Sequence, residues 1–376
     1  MFVSDRKGSE LADGLVSPTA AAALQEPDVP VGKAESRRVG GLVPWWANQR
    51  IGLLVLVVAL SALFGVLRPA FFNQQLVIFP LLRDIAMFTV VGLAQLCVLS
   101  IGHMNLAVGR MAAFSMMITG ISYDLWHFTL YAGLVIGLVA GAAIGALAGW
   151  VIARTRVNSF VVTLALDFLL LGLIPLVYTA LTDNAAFVTR PPGMRELRNY
   201  SLADVCVGNV CGSPAVPQLA LFAVVAMAVV GWIYSRTKLG RELLMTGASV
   251  RAAELSGIPT ARRVIVAHAM SGSLAALAGF MLAVSTGSIK ATIGEEFMLP
   301  SFLGPILGGT LLAGGFVSIW GTLIGTALTT VIRKGLDLLG VGLESLNIYL
   351  GLILLVALST DRIRAKLSDR QGVRER

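Results

Sequence analysis

The run FMLPSFLGPILGGTLLAGGFVSIWGTLIGTALTTVI, residues 297–332, holds 36 residues without one charge. At ~1.5 Å per residue a single helix would reach about 54 Å, nearly twice the ~30 Å of hydrocarbon in a bilayer. Two segments must therefore share the run, with the break expected near Ala313-Gly314-Gly315.

Working outward, the same test finds further uncharged runs of spanning length: Ile51 to Leu67, Ile85 to Gly102, Phe128 to Ala153, Val157 to Leu181 with Asp167 inside, Ala215 to Ser235, and Val264 to Ile289 with His268 inside. Ser345 to Thr360 adds a short one, and Asn105 to Tyr123 another that is interrupted by Arg110. The expected fold is an all-α polytopic membrane protein of about ten transmembrane helices, some broken. Composition agrees: 56% hydrophobic and 13% charged residues, with mean hydropathy +0.81, exceed what a soluble chain of 376 residues would bury.

The net charge of +8 does not point to nucleic acid, because the basic residues are dispersed between apolar runs. Lys and Arg resist translocation, so their positions orient the chain. They precede the first span, form a turn at Arg154 and Arg156, fill 236–263 and follow the last span, and an even number of spans puts all of them and both termini in the cytoplasm. Residues 1–47 read as a disordered cytoplasmic tail without a signal peptide, 48–360 as the transmembrane domain and 361–376 as a basic cytoplasmic tail. Residues 182–217 form the external loop. Cys206 and Cys211 lie there, in an oxidising compartment around Val207-Gly208-Asn209-Val210, and are either a structural disulfide or two reduced thiols. Cys97, in an apolar run, reads as packing.

Gly133, Gly137, Gly141, Gly145 and Gly149 draw a bare stripe along one span. Such stripes pack helices backbone to backbone, here either within one subunit or at a dimer seam. The segment His103-Met104-Asn105 to Gly109 lies where irregular backbone is expected, and irregular backbone at membrane depth is tolerated only when it lines a cavity or is buried in protein. These residues are candidates for the translocation pathway, or else His103 and Asn105 cap helix ends. Gly294 to Pro300, leading into Gly308-Gly309 and Gly314-Gly315, has the same character, a weak hint of an internal repeat. Asp167, an acid deep in a span without an obvious basic partner, is either a proton relay or ligand for a polar substrate, or a hydrogen-bonded helix contact. His268, close to the basic edge, reads as interfacial packing. No G-x-x-x-x-G-K-[ST] loop exists to cradle ATP, no His/Cys/Asp/Glu cluster has metal spacing, and nothing suggests catalysis.

From about residue 50 to 360 the chain resembles the permeases of bacterial ABC importers in the ribose, xylose and galactose class, within the larger group that holds branched-chain amino-acid permeases. Three blocks carry the resemblance: Gly102 to Gly109, where sugar permeases typically read G-G-I-D-L-S-V-G; Gly240 to Ile258, followed by Ser271 to Gly279; and Ile306 to Gly315, like the family's V-L-G-G-T-S-L-F-G-G. The first block departs: His103-Met104 replaces Gly-Ile, and Asn105 stands where the family has Asp, keeping hydrogen bonds and losing the charge.

The resemblance implies a membrane-spanning subunit, multi-pass in the bacterial inner membrane, importing a monosaccharide or polyol. It implies as partners two cytoplasmic ATPase subunits that bind the ATP, an external binding protein and a second permease copy, with no cofactor on this chain. It also makes 236–263 a coupling loop. Gly247, Arg251, Ala252, Ala253, Glu254, Leu255, Ser256, Gly257 and Ile258 would dock the ATPase, the small residues allowing close approach while Arg251 and Glu254 fix register. The alternatives are a branched-chain amino-acid or nucleoside-type permease and, in another class, an ion-coupled secondary transporter, which would show paired intramembrane charges.

Overall fold

A computed structural model describes residues 49–182, 188–191, 193–204, 206–207, 210–211, 213–290, 292–342, 348–349 and 351–352. The two expected tails and most of the run from Ser345 to Thr360 lie outside these residues.

Twelve helices lie among them. α1 (Gln49–Leu67) is followed by a 3-10 turn at Pro69–Phe72 and a π turn at Gln74–Ile78 that runs into α2 (Phe79–Leu99). Then come α3 (Val108–Asp124), α4 (Leu130–Thr155) and α5 (Ser159–Thr182). A peripheral region holds β1 (Val188–Thr189), α6 (Met194–Asn199), β2 (Cys206–Val207) and β3 (Val210–Cys211). The chain re-enters through α7 (Leu219–Arg236), turns through α8 (Lys238–Ala248) and α9 (Val250–Leu255), and returns along α10 (Thr260–Thr286). β4 (Ile289–Lys290), α11 (Met298–Leu307) and α12 (Ile319–Leu338) follow.

Five helical segments, Gln74–Leu99, α4, α5, α7 and α10, are long and apolar enough to cross a membrane. The protein is an all-α polytopic membrane protein. Nine of the ten expected segments coincide with a helix, but two behave differently from expectation. α3 runs unbroken for 17 residues through Arg110, so the irregular backbone precedes it, at 100–107. α11 has only ten residues, about 15 Å, half a bilayer. The run at 297–332 therefore folds as a half-length helix, a non-helical stretch at 308–318 and a long helix. Gly304 faces Gly325 and Gly308 faces Gly321, which packs α11 and α12 antiparallel, backbone on backbone.

α2 is the axle of the bundle. Val90, Val91, Leu93, Ala94, Leu96, Cys97, Val98 and Leu99 are all fully buried, as a helix enclosed on every side must be. The stripe on α4 packs inside the subunit: Gly133 and Gly137 meet Thr119, Gly141 meets the Gly272 carbonyl, and Gly145 and Gly149 meet α10 at His268 and Ile265. α5 buries only the row Ser159, Thr163, Leu166, Leu170, Ile174 and Tyr178 and leaves Phe168, Leu169 and Leu176 open, as a helix with one face on protein and the other on lipid does.

Away from the basic loops, β1 pairs antiparallel with β4, and Thr189 Oγ1 donates to Asp124 Oδ2 at 2.7 Å. β2 and β3 pair with Cys206 opposite Cys211. Oxidation of this pair is expected in protein from the native membrane. A non-reduced digest read by mass spectrometry should contain the linked peptide, and recovery of both thiols free without prior reductant would reject the bridge.

Candidate functional site

Between α2 and α3 the chain leaves the helix, and its backbone groups must find other partners within protein. They do so on two neighbouring helices, α5 and α2. Met104 N–H donates to Ser159 Oγ (3.1 Å) and Leu106 N–H to Thr163 Oγ1 (3.2 Å), both on α5. Gln95 of α2 pairs with Asn105: the Gln95 amide nitrogen donates to the Asn105 carbonyl (2.9 Å), and its oxygen accepts from the Asn105 N–H (3.2 Å). The Asn105 side chain completes the loop. Its Oδ1 accepts from Ala107 N–H (3.0 Å), and its Nδ2 donates to Ser271 Oγ of α10 (3.0 Å) and toward Met111 Sδ (3.4 Å).

The pathway candidates therefore separate. Asn105 is 0% exposed and faces protein on every side, whereas His103 and Met104 are half-buried. Gly109 is buried against the backbone of Gly294, so these two expected irregular segments meet directly. His103 Nδ1 lies 3.4 Å from His268 Nε2. The interfacial reading of His268 is corrected: it is fully buried beside the broken segment, because α10 crosses the centre of the bundle.

The second non-helical stretch meets the first at its other end. Gly315 N–H donates to the Ser100 carbonyl (3.0 Å), and a Cβ on Gly102 would stand 2.8 Å from the Ala313 oxygen. Gly102, Gly314 and Gly315 hold φ of +74°, +90° and +82°, the left-handed region that favours glycine. Tyr234 of α7 donates to Ser100 Oγ (2.9 Å) and pins the junction. The third participant is Gly247, whose Cβ position is occupied by the Ser100 carbonyl and lies 2.6 Å from Gly315 N. The sequence reading counts Gly247 among the ATPase-docking residues; the structure instead packs it on the protein's own backbone at this junction.

Asp167 has the basic partner the sequence concealed. Arg110 Nε is 3.9 Å from Asp167 Oδ1, and Arg110 Nη1 donates to Glu295 Oε1 at 3.1 Å. Arg110 thus ties α5 to the segment before α11. Its side chain is 16% exposed, Asp167's 28% and Glu295's 44%, so the Glu295 arm is the more screened. Arg110→Met is expected to destabilise the protein more than Asp167→Asn. The double variant should recover part of the loss, with a coupling of about 0.5–3 kcal/mol as for residues in one network. Thermal unfolding of the purified variants measures it, and strict additivity would refute the pair.

The loop at 236–263 is two short helices with standard caps. Thr237 Oγ1 accepts from Gly240 N–H (3.1 Å) to start α8, and Ser249 Oγ accepts from Ala252 N–H (3.3 Å) to start α9. Gly257, at φ +76°, follows the end of α9, and Thr260 Oγ1 donates to Glu254 (2.9 Å). Beneath them Glu242 pairs with Arg263 and, at 3.7 Å, with Lys238. Arg251, Ala252, Glu254, Leu255, Ser256 and Gly257 face outward, while Ala253 and Ile258 face the protein. Leu255, 85% exposed, is an apolar tip on a polar rim.

Comparison with known proteins places this arrangement. Residues 77–358 match the family described as branched-chain amino acid transport system / permease component. The chain is 31% identical over 318 residues to the ribose import permease protein RbsC of Bacillus subtilis (strain 168), covering 83% of this chain and 91% of that protein. It is 28% identical over 312 residues to the fructose import permease protein FrcC of Rhizobium meliloti, covering 83% and 84%. It is 28% identical over 340 residues to the L-arabinose ABC transporter permease protein AraH of Azospirillum brasilense, covering 90% and 94%. No solved structure matches the chain. With three quarters of its length inside the family match, the chain belongs to the branched-chain amino acid transport system permease component family.

Proposed function

We propose that this chain is the membrane-spanning subunit of an ATP-driven importer in the bacterial inner membrane, and that it translocates a monosaccharide or related polyol delivered by an external binding protein. The solute class is supported by similarity along most of the chain to permeases named for ribose, fructose and arabinose. A second permease copy and two cytoplasmic ATPase subunits complete the assembly, and ATP binds to those subunits.

The observation that carries the mechanism is the position of Gly247. α9 presents Leu255, Arg251 and Glu254 outward, the geometry of a knob for a partner's groove, while α8 ends on the junction of the two non-helical stretches. Closure of the ATPase pair would move α9, and α8 would pass the displacement to Ser100 and Gly315 without an intervening flexible side chain. Backbone packed on backbone has few ways to absorb a shift locally. His103, Met104 and Asp167, which keep exposed surface, are the pathway residues in this reading, whereas the buried Asn105 and Gly109 hold the broken segment in place.

Proteoliposomes holding the permease with its ATPase and binding protein test the function. ATP-dependent uptake of ribose, fructose or arabinose is expected, with no uptake of leucine. Leucine import would select the amino-acid alternative. Uptake by the permease alone, without ATP and abolished by Asp167→Asn, would select an ion-coupled carrier.

A further inference from the structure

The two consecutive glutamates before α11 point to different places. Glu295 binds Arg110, whereas Glu296 accepts from Arg333 Nη2 of α12 at 3.0 Å, at the rim of a cavity of about 280 Å³ between α2, α12 and the segment before α11. The floor is buried and mostly apolar: Met87, Phe88 and Thr330. The walls are the charged side chains Asp84, Arg333, Lys334 and Asp337. Arg333 also lies over the Phe88 ring, 5.8 Å from its centroid, and Lys334 Nζ donates to Asp337 Oδ2 at 3.3 Å. Among the described residues no donor reaches the Asp84 carboxylate, so it keeps free acceptor positions facing the space.

We propose that this cavity is a binding site for one neutral polyhydroxy ring, a station on the outer side of the permease; the proposal rests on the sugar-importer reading above. Arg333 and Lys334 are already paired with Glu296 and Asp337, so an anion finds no unpaired cation among these lining residues, whereas hydroxyl groups donate to the carboxylates and accept from the cations. Charged groups make the stronger hydrogen bonds, and the apolar atoms of Met87 and Phe88 in the floor suit the C–H side of a ring. The volume lies just below the ~300–1,000 Å³ usual for small-molecule sites, the size for one ring and not for a chain of them. The place is apt as well. The cavity sits at the start of α2 and the end of α12, whereas the other end of α2 meets α8 at Ser100. One short segment, Gly294 to Phe297, then joins cavity to pathway: Gly294 packs on Gly109, Glu295 holds Arg110, and Phe297 stacks edge-on against Phe88 at 6.3 Å.

The test is protection of a cysteine on the cavity floor. Thr330→Cys in the full-length chain, in proteoliposomes, is labelled from outside with a membrane-impermeant maleimide, with and without ribose, fructose or arabinose. At least one of these sugars should slow labelling severalfold, and adding Asp84→Asn or Lys334→Met should abolish the protection, each variant being compared with its own rate in the sugar's absence. Asp337→Asn provides a further variant should either of those fail to insert. Equal labelling with and without every sugar, failure of the cysteine to label at all, or equal protection by leucine or sodium chloride would overturn the site. ATP-dependent uptake by the unsubstituted transporter is measured alongside. Uptake without protection removes the cavity and leaves the importer, whereas protection without uptake of any sugar removes the importer and leaves the cavity.

Discussion

Gly247→Ala is expected to abolish solute uptake while the ATPase subunit still binds. A single Cβ there overlaps the Ser100 carbonyl and comes within 2.6 Å of Gly315 N, and these are backbone atoms that no side-chain rotation can move aside. Overpacking of this kind costs typically ~1–3 kcal/mol, and here the strain falls on the contact between α8 and both non-helical stretches. Gly257 provides the contrast. A Cβ at Gly257 meets nothing within 4 Å, so its cost is confined to the left-handed backbone, about 1–2 kcal/mol. A bulky residue there, or reversal of charge at Glu254, alters the outer face and should instead reduce recovery of the ATPase at unchanged permease level. Uptake and ATPase pull-down measured on the same membranes separate the two positions. Normal uptake by Gly247→Ala would show that α8 transmits nothing to the junction, and normal recovery and uptake with both outer changes would show that α9 is not the socket.

Asn105→Leu is expected to lower both uptake and the amount of folded protein in the membrane. A side chain facing an open pathway would instead lose uptake at nearly constant expression. Inside the protein the amide serves the backbone: its removal strands the Ala107 N–H and unlinks Ser271 of α10. Leaving a buried polar group unmet costs about 1–3 kcal/mol each, enough to depopulate a marginally stable fold. Asn105→Asp keeps an acceptor for Ala107, and the Ser271 hydroxyl can turn to donate to the new carboxylate. It should therefore insert far better than the leucine variant. Fluorescence-detected gel filtration gives the folded fraction, and uptake is then expressed per folded molecule. An Asn105→Leu protein as abundant and as thermostable as the parent would refute the anchoring role.

Much of the architecture was legible in residue order because lipid imposes a length rule. Uncharged runs must be about a bilayer long, so the surplus in residues 297–332 announced two elements, and the run before Gly102 announced a spanning helix at α2. Every-fourth glycine likewise marked a close helix contact, and glycines at 314 and 315 marked the break. The capped, charged loop at 236–263 stood out for the same reason, as polarity between apolar runs.

What sequence could not determine is which groups meet. Arg110 seemed to interrupt a span, yet helix α3 passes through it, because an arginine inside a bundle is tolerated when acids from two other segments converge on it. Asp167 looked solitary for the complementary reason: its partner is 57 positions away by subtraction of 110 from 167. His268 and His103 are separated by 165 residues and stand in contact. Gly247 illustrates the point most fully, for its role depends on three backbones arriving within van der Waals distance. Local spacing encodes the period and length of an element, both properties of neighbours in the chain. Contacts between carbonyls, glycines and ion pairs of distant segments are encoded only in how the helices pack, and tertiary structure alone decided them.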